Sequence, residues 1–159
     1  VEDATSFEGN ALIKARALAA ATGLPTVADD SGLAVDILGG APGIFSARWA
    51  GHHGDDAGNL NLLLGQLHDV HAEHRGAQFV CAAALVMPGG SETVEVGVMR
   101  GTLLDEPRGH NGFGYDPIFV PEGMSQTNAQ LAPEQKNKIS HRAKAFTALA
   151  PRIVEALKS

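Results

Sequence analysis

A strong hairpin signal lies in the middle of the chain and limits the folds open to it. Phe79–Met87 is an almost continuous apolar run, and a second strand-like run, Thr93–Met99, follows after the turn segment Pro88–Ser91. That turn contains two glycines, which adopt the positive φ angles of hairpin turns at no steric cost. The centre of the chain is therefore predicted to be an antiparallel β-hairpin.

Helical patterns flank this hairpin. Ser6 is a predicted N-cap of an opening helix that ends at Gly23, and a second helix is predicted to begin at Asp55 or Asp56. Near the end of the chain, Pro151 is predicted at the first position of a last, separate helix. Helices around a central hairpin favour an α/β or α+β fold built on a mixed sheet.

Shorter strands and loops complete the prediction. Thr26–Ala28 and Leu33–Ile37 are predicted strands, with an acidic turn between them, and Ile118–Val120 suggests another short strand. The segments Gly39–Gly43 and Glu106–Gly114 contain too many glycines and prolines for regular structure and are predicted to be loops.

Composition excludes several classes of protein. The 159 residues fit one domain, and the formal net charge of −6 argues against binding polymeric DNA or RNA. No apolar stretch approaches the roughly 20 residues of a membrane helix, and Val1-Glu2-Asp3 lacks the basic start of a signal peptide. The single cysteine, Cys81, rules out an intrachain disulfide and favours the cytoplasm.

The segment Asp29-Asp30-Ser31-Gly32 is the first candidate site. Adjacent carboxylates beside a glycine can hold a hard divalent cation such as Mg²⁺ through oxygen ligands, and Mg²⁺ in turn suggests a phosphate substrate. The alternative is that one aspartate caps a turn while the other is solvated. From this segment alone, both interpretations stay open.

A glycine-rich loop, Gly109–Asp116, is the second candidate. It contains Phe113 and Tyr115, and aromatic faces beside glycines suit the stacking of a planar base. The alternative is a hairpin in which both rings are buried in the hydrophobic core. The third candidate is the donor-rich segment Lys136–Arg142, which suits an anion or the carbonyl oxygen of a base, or else is a solvated basic helix end.

Other familiar sites are disfavoured. His68, His71 and His74 recur every three residues, a row that drifts around a helix among charged neighbours, so a solvated surface is favoured over a transition-metal site. The sequence contains neither a Gly-x-x-x-x-Gly-Lys-Ser/Thr phosphate loop nor a Rossmann glycine motif after a strand.

Five segments carry a more specific signal when they are taken together: Ser6–Arg16, Ala28–Leu33, Leu38–Arg48, Gly112–Phe119 and Ile139–Arg142. In this order they resemble the inosine triphosphate pyrophosphatase family, also called Ham1-like proteins or non-canonical purine NTP pyrophosphatases. The resemblance covers nearly the whole chain. It implies one ITPase-like domain over residues 1–159, with an elongated mixed sheet, flanking helices and two lobes around a central nucleotide cleft.

The resemblance also implies a homodimer and Mg²⁺-dependent hydrolysis of ITP, dITP or XTP to the monophosphate and pyrophosphate. By motif position, Asp30 would be the proton acceptor and a Mg²⁺ ligand, with Asp29 and Glu8 as further candidate ligands. The implied substrate contacts are Ser31, Phe113, Gly114, Tyr115, Asp116, Lys136, His141 and Arg142. Donors from His141 and Arg142 would match a 6-oxopurine and would face the amino group of adenine donor to donor.

Two departures from the family pattern bear on activity. Family members usually begin with a strand, a Ser/Thr-x-Asn-x-x-Lys loop and a helix, and we expect this unit to be missing here. The family often has a glutamate metal ligand where this chain has Gly9, with Glu8 one place earlier. These departures keep a non-catalytic purine-nucleotide-binding module as the alternative. A phosphatase with Asp29 or Asp30 as covalent nucleophile ranks third, because it leaves the aromatic loop unexplained.

Overall fold

The computed structural model describes residues 4–158 and has the predicted α/β class. Four strands form one sheet in the order β1-β2-β3-β4: β1 Thr26–Val35, β2 Gly76–Val86, β3 Glu92–Leu103 and β4 Phe119–Pro121. The helices are α1 Phe7–Thr22, α2 Asp56–Gln66, α3 Pro133–Ile139 and α4 His141–Lys158, and short 3₁₀ helices lie in some of the connecting segments. Among the described residues, no helix is long and apolar enough to span a membrane.

Local signals set the ends of α1 as predicted. The Ser6 hydroxyl accepts a hydrogen bond from the Gly9 amide at 3.0 Å, which satisfies one of the free N–H groups of the first turn. At the other end Gly23 has φ 67°, and its N–H donates to the Ala19 carbonyl at 2.8 Å. Glycine adopts this left-handed conformation without a Cβ clash, so the helix stops there.

The predicted hairpin is also confirmed. β2 and β3 are sheet neighbours, and the Met87 N–H donates to the Ser91 carbonyl across the turn at 2.8 Å. β3 then pairs antiparallel with β4, with Thr102 opposite Val120. Both hairpin strands extend beyond their apolar runs, because backbone pairing continues where the side chains become polar.

The acidic segment was predicted to be a turn between two strands, and this prediction is wrong. Asp29 and Asp30 lie inside β1, which runs unbroken through Ser31 and Gly32. Gly32 is not among the glycines with positive φ. Aspartate, serine and glycine favour turns only through local preferences, and pairing with β2 overrides those preferences here.

The C-terminal helices also differ from the prediction. Pro151 lies inside α4 and does not start a separate helix. A proline in a helix removes one backbone hydrogen bond. The apolar face nevertheless continues past it, since Leu149 and Ile153 pack against the same cluster on either side of the proline. Ser140 caps the start of α4, since its hydroxyl accepts a hydrogen bond from the Ala143 amide at 3.1 Å.

The chain divides into two compact units. Unit 1 comprises the described residues up to Ser31, Val80–Val98, and the described residues from Ser140 onward. Its part of β2 is apolar on both faces. Ala82 and Ala84 pack with Ala11, Ala15 and Ala19 of α1, while Cys81, Ala83 and Leu85 pack with α4. The sequence run is continuously apolar because helices cover both of its faces.

Unit 2 comprises Gly32–Phe79 and Met99–Ile139. Its core contains Leu63 of α2 and Leu67, which directly follows that helix, together with buried residues of all four strands. The rings of Phe79 and Phe119 lie 4.6 Å apart, centroid to centroid, in a tilted arrangement. The predictions of one domain over residues 1–159 and of a nucleotide cleft stay predictions.

Gly97 in β3 allows α4 to approach the sheet closely. A Cβ at this position would overlap the His141 carbonyl oxygen and lie 2.5 Å from the Ala145 nitrogen. We expect Gly97→Ala to lower the free energy of unfolding by about 1–3 kcal/mol, because backbone atoms must move. Urea denaturation measures this loss. The control is Gly89→Ala, where a Cβ meets nothing within 4 Å; equal stability losses in both variants would contradict the packing argument.

Candidate functional site

The two adjacent carboxylates of β1 lie in different surroundings within unit 1. Asp30 Oδ1 is 3.7 Å from the Lys14 ammonium of α1. Asp29 contacts Arg142 of α4 and lies 3.8 Å from the Cys81 sulfur, which is on the α4 side of β2. Successive side chains of a strand point to opposite faces, so Asp30 faces α1 and Asp29 faces α4.

Asp30, the predicted proton acceptor, has a side chain that is only 14% exposed. Ser31, the next residue along β1, is half-buried. This arrangement places a mostly buried carboxyl group next to a lysine, a pair that suits a phosphate substrate.

Arg142 makes a two-point contact with Asp29. Its Nε donates to Asp29 Oδ2 at 3.2 Å and its Nη2 donates to Oδ1 at 3.4 Å. The guanidinium carbon also lies 5.4 Å from the centre of the Phe146 ring. The neighbouring predicted contact, His141, is buried at the first position of α4.

The aromatic loop lies in unit 2, and its two rings have different surroundings. Phe113 is 72% exposed, and the Lys136 ammonium lies 4.9 Å from its ring centre. Tyr115 is buried in the unit 2 core, where its hydroxyl donates to the Ser46 carbonyl at 2.7 Å. Burial raises the pKa of this phenol. Tyr115 is therefore part of the core, as the alternative interpretation of this loop expects. A substrate contact by Tyr115 stays a prediction.

Asp116 organises this loop from inside. The Lys136 ammonium and the Phe113 N–H both donate to Asp116 Oδ2, at 2.6 and 3.0 Å. The Asn128 amide donates to Oδ1 at 3.1 Å. A Cβ at Gly112, where φ is 74°, would overlap Oδ2, so the loop needs glycine there. The buried carboxylate thus fixes both the exposed ring and the cation above it.

Helix α2 supports the same loop from its N-terminus. Asp56 Oδ2 accepts the Gly114 N–H at 3.2 Å. An open cavity of about 230 Å³ lies beside this contact and is lined by residues that include Leu60, His110 and Phe113. Every residue of its lining belongs to unit 2.

The predicted site residues fall into two sets, one in each unit. Unit 1 contains Glu8, Asp29, Asp30, Ser31, His141 and Arg142, and unit 2 contains Phe113, Gly114, Tyr115, Asp116 and Lys136. Within unit 1 the structure pairs Asp29 with Arg142, and within unit 2 it groups Phe113, Asp116 and Lys136.

Sequence reasoning missed four residues that hold these groups in place: Lys14, Ser46, Asp56 and Asn128. Lys14 could have been found most easily from the sequence, because it is a cation next to Ala15 on the buried alanine face of α1. Asn128 is buried in a segment without periodicity, so the pattern carried no sign of its role.

The carboxylate oxygens of this site are the kind of ligand that Mg²⁺ binds. Among residues 4–158, no group of three or more His, Cys, Asp or Glu side chains is placed to hold a metal ion, so Glu8, Asp29 and Asp30 do not form such a group. Mg²⁺, however, is commonly bound by only one or two carboxylates together with substrate phosphates and water. Asp30 supplies one such carboxylate, and the metal-binding roles stay predictions.

Cys81 is expected to be inert in the folded protein. It is buried, and burial raises the pKa of its thiol, so the reactive thiolate is scarce. A thiol reagent such as Ellman's reagent should therefore label less than a tenth of the protein at pH 8 in the time that labels all of it in guanidinium chloride. Equal labelling rates in the two conditions would contradict this burial.

Comparison with known proteins agrees with the resemblance in the sequence motifs. Residues 1–152 match the model of the Ham1 family. A dITP/XTP pyrophosphatase from Streptomyces avermitilis is 62% identical over 156 residues, which is 98% of this chain and 78% of that protein.

Solved structures extend this likeness to the fold. The crystal structure of a nucleoside-triphosphatase / dITP/XTP pyrophosphatase from Mycobacterium abscessus is 57% identical, with a TM-score of 0.83 over 96% of this chain and 78% of that one. The Staphylococcus aureus Ham1 protein is 42% identical, with a TM-score of 0.92 over 98% of this chain and 80% of that one. The family match and these identities together show that the chain belongs to the Ham1 family.

Proposed function

We propose that this protein hydrolyses non-canonical purine nucleoside triphosphates, namely dITP, ITP and XTP, to the monophosphate and pyrophosphate. The observation that carries the proposal is the 62% identity, over 98% of the chain, to a relative named dITP/XTP pyrophosphatase. The chemistry of the two residue sets agrees with it. One set offers a carboxylate beside a lysine, and the other offers an exposed aromatic ring beside a second lysine.

Asp30 is the residue that we assign to the reacting centre. As a carboxylate it can accept the proton of a water molecule that attacks the α-phosphorus, so that pyrophosphate leaves in line with the attack. The Lys14 ammonium lies 3.7 Å from Asp30 Oδ1, beside the proposed reacting centre.

Magnesium is proposed as the cofactor, with Asp30 as its ligand and Glu8 as a second candidate. When bound, Mg²⁺ would neutralise charge on the triphosphate and polarise its phosphoryl oxygens. Asp29 is a weaker candidate, because it faces the opposite side of β1 and is already paired with Arg142.

Base recognition is proposed for Phe113, Lys136, His141 and Arg142. The exposed Phe113 ring offers a stacking face, and the side chains of Lys136, His141 and Arg142 carry N–H donors that match the 6-oxo group of hypoxanthine and xanthine. Adenine has an amino donor at this position and would leave a buried donor unmatched, which is costly.

Pyrophosphate release from dITP, XTP, ATP and GTP, measured with Mg²⁺ present, tests the proposal. We expect dITP and XTP to be hydrolysed at least tenfold faster than ATP and GTP, as kcat/KM. Equal rates on all four would contradict the specificity. Tight ITP binding in calorimetry without pyrophosphate release would favour the nucleotide-binding module, and orthophosphate as the first product would favour the phosphatase.

We also propose that the protein acts as a homodimer in the cytoplasm. The family resemblance implies the dimer, and the single free cysteine, Cys81, is in keeping with a reducing compartment. Sedimentation equilibrium tests the oligomeric state, and a mass near 16.5 kDa would contradict the dimer.

A further inference from the structure

We propose that Asp29 is a positioning residue that sets purine selectivity by holding the Arg142 guanidinium in one orientation. The inference deepens the proposed function and rests on it for the identity of the substrate. It gives Asp29 a role that is separate from metal binding and from the proton transfer assigned to Asp30.

The first step is that Asp29 and Asp30 lie on opposite faces of β1 and contact different helices. Asp29 and Asp30 are adjacent, and the alternation of the strand sends their side chains to opposite faces. Asp30 meets Lys14 of α1, whereas Asp29 meets Arg142 of α4. Two carboxylates that face opposite sides of a strand are poorly placed to share one small cation, so Asp29 is available for a different role.

The second step is the geometry of the guanidinium. Arg142 uses its Nε and Nη2 atoms on the two oxygens of Asp29, which is the side-on form of the Arg–carboxylate pair. A guanidinium has five N–H groups, and this pair uses two of them. Arg142 makes no other hydrogen bond to residues 4–158. The parallel N–H pair at the end of the guanidinium, one on Nη1 and one on Nη2, is therefore left for a ligand.

The third step is the chemistry of the base. A parallel pair of N–H donors matches the O6 and N7 acceptors of a 6-oxopurine, as in arginine contacts to guanine. Adenine also has the N7 acceptor, but its N6 amino group is a donor and opposes the second N–H. An arginine that is free to rotate could turn this N–H away, whereas one held by Asp29 cannot. By holding the Arg142 guanidinium in place, Asp29 would make its donors favour a 6-oxopurine over adenine.

Other contacts restrict Arg142 in the same way. The start of α4 is capped by Ser140 and packs closely on Gly97, which fixes the backbone beneath Arg142. The guanidinium carbon lies 5.4 Å from the centre of the Phe146 ring, within the range of a cation–π contact. The Arg142 side chain is still 54% exposed, so its outer N–H groups are accessible.

The test compares dITP with dATP in Asp29→Asn, which keeps the shape of the side chain and removes the charge and one acceptor oxygen. We expect the ratio of kcat/KM for dITP to that for dATP to fall by about 5- to 150-fold, the discrimination that one two-point arginine–purine contact supplies. The same loss is expected in Arg142→Lys. Adding Asp29→Asn to Arg142→Lys should change the ratio no further, because the two residues act as one unit.

Glu92→Gln is the matched control. Arg16 contacts Glu92 through the same two atoms, Nε and Nη2, at 2.5 and 2.8 Å in the same unit of the chain. This variant should keep the wild-type ratio. An equal fall in both variants would overturn the inference, because it would show a general effect of losing a surface ion pair.

Two further measurements separate the competing explanations. If Asp29 were a metal ligand, Asp29→Asn would raise the Mg²⁺ concentration for half-maximal rate and leave the dITP to dATP ratio unchanged, which overturns the inference. Binding of IMP and AMP, measured by calorimetry without divalent metal, tests the inference apart from turnover. A preference for IMP that Asp29→Asn abolishes supports it even if the wild type released no pyrophosphate, an outcome that would count against the proposed function alone.

Discussion

Replacing Asp30 with asparagine is expected to lower kcat for pyrophosphate release from dITP by about 10²- to 10⁴-fold, the usual contribution of a positioned general base. The amide cannot accept the proton that the carboxylate takes from water. Folding should be nearly unaffected, because asparagine has the same shape as aspartate and keeps one acceptor oxygen in the same place. Steady-state kinetics and thermal unfolding together measure both effects.

The control for this variant is Asp69→Asn. Asp69 is an exposed aspartate on the connection after α2, outside every predicted site segment. It should keep wild-type kcat and KM. Retained turnover in Asp30→Asn would remove Asp30 from the reacting centre. A loss of turnover matched by a large fall in melting temperature would instead mark Asp30 as a structural residue.

Predictions from the sequence succeeded where the deciding interactions are local. The Ser6 hydroxyl meets an amide three residues away, and Gly23 ends α1 through its own backbone conformation. Such features are determined within one or two turns of chain. The helix boundaries at Ser6, Gly23 and Asp55 could therefore be predicted from residue type and spacing.

Predictions failed where distant packing outweighs local preference. The Asp29-Asp30-Ser31-Gly32 segment has turn composition but pairs as a strand, and Pro151 stays helical because residues on both sides of it pack on one cluster. The Asp29–Arg142 pair joins residues 113 positions apart. No periodicity in the sequence encodes such a pair, and only the fold brings its members together.

The buried ion pair of unit 2 carries the largest expected effect on stability. The Asp116 side chain is 4% exposed, and three donors converge on it, from Lys136, Asn128 and the Phe113 backbone. We expect Asp116→Ala to lower the free energy of unfolding by about 3–5 kcal/mol, because it removes the acceptor of three donors, among them the partly buried Lys136 ammonium and the buried Asn128 amide. Urea denaturation measures the loss, and a change below about 1 kcal/mol would contradict it.

Two comparisons show whether the buried charge is the cause. Asp36→Asn breaks an exposed pair in the same unit, in which Asp36 lies 2.9 Å from Arg100, and should cost less than about 1 kcal/mol. The double variant Asp116→Leu with Lys136→Met removes both charges and should be more stable than Asp116→Ala, since no unpaired ammonium is left behind. If the double variant were instead the less stable of the two, packing around Asp116 would be the cause, and the convergence of donors on its carboxylate would contribute little.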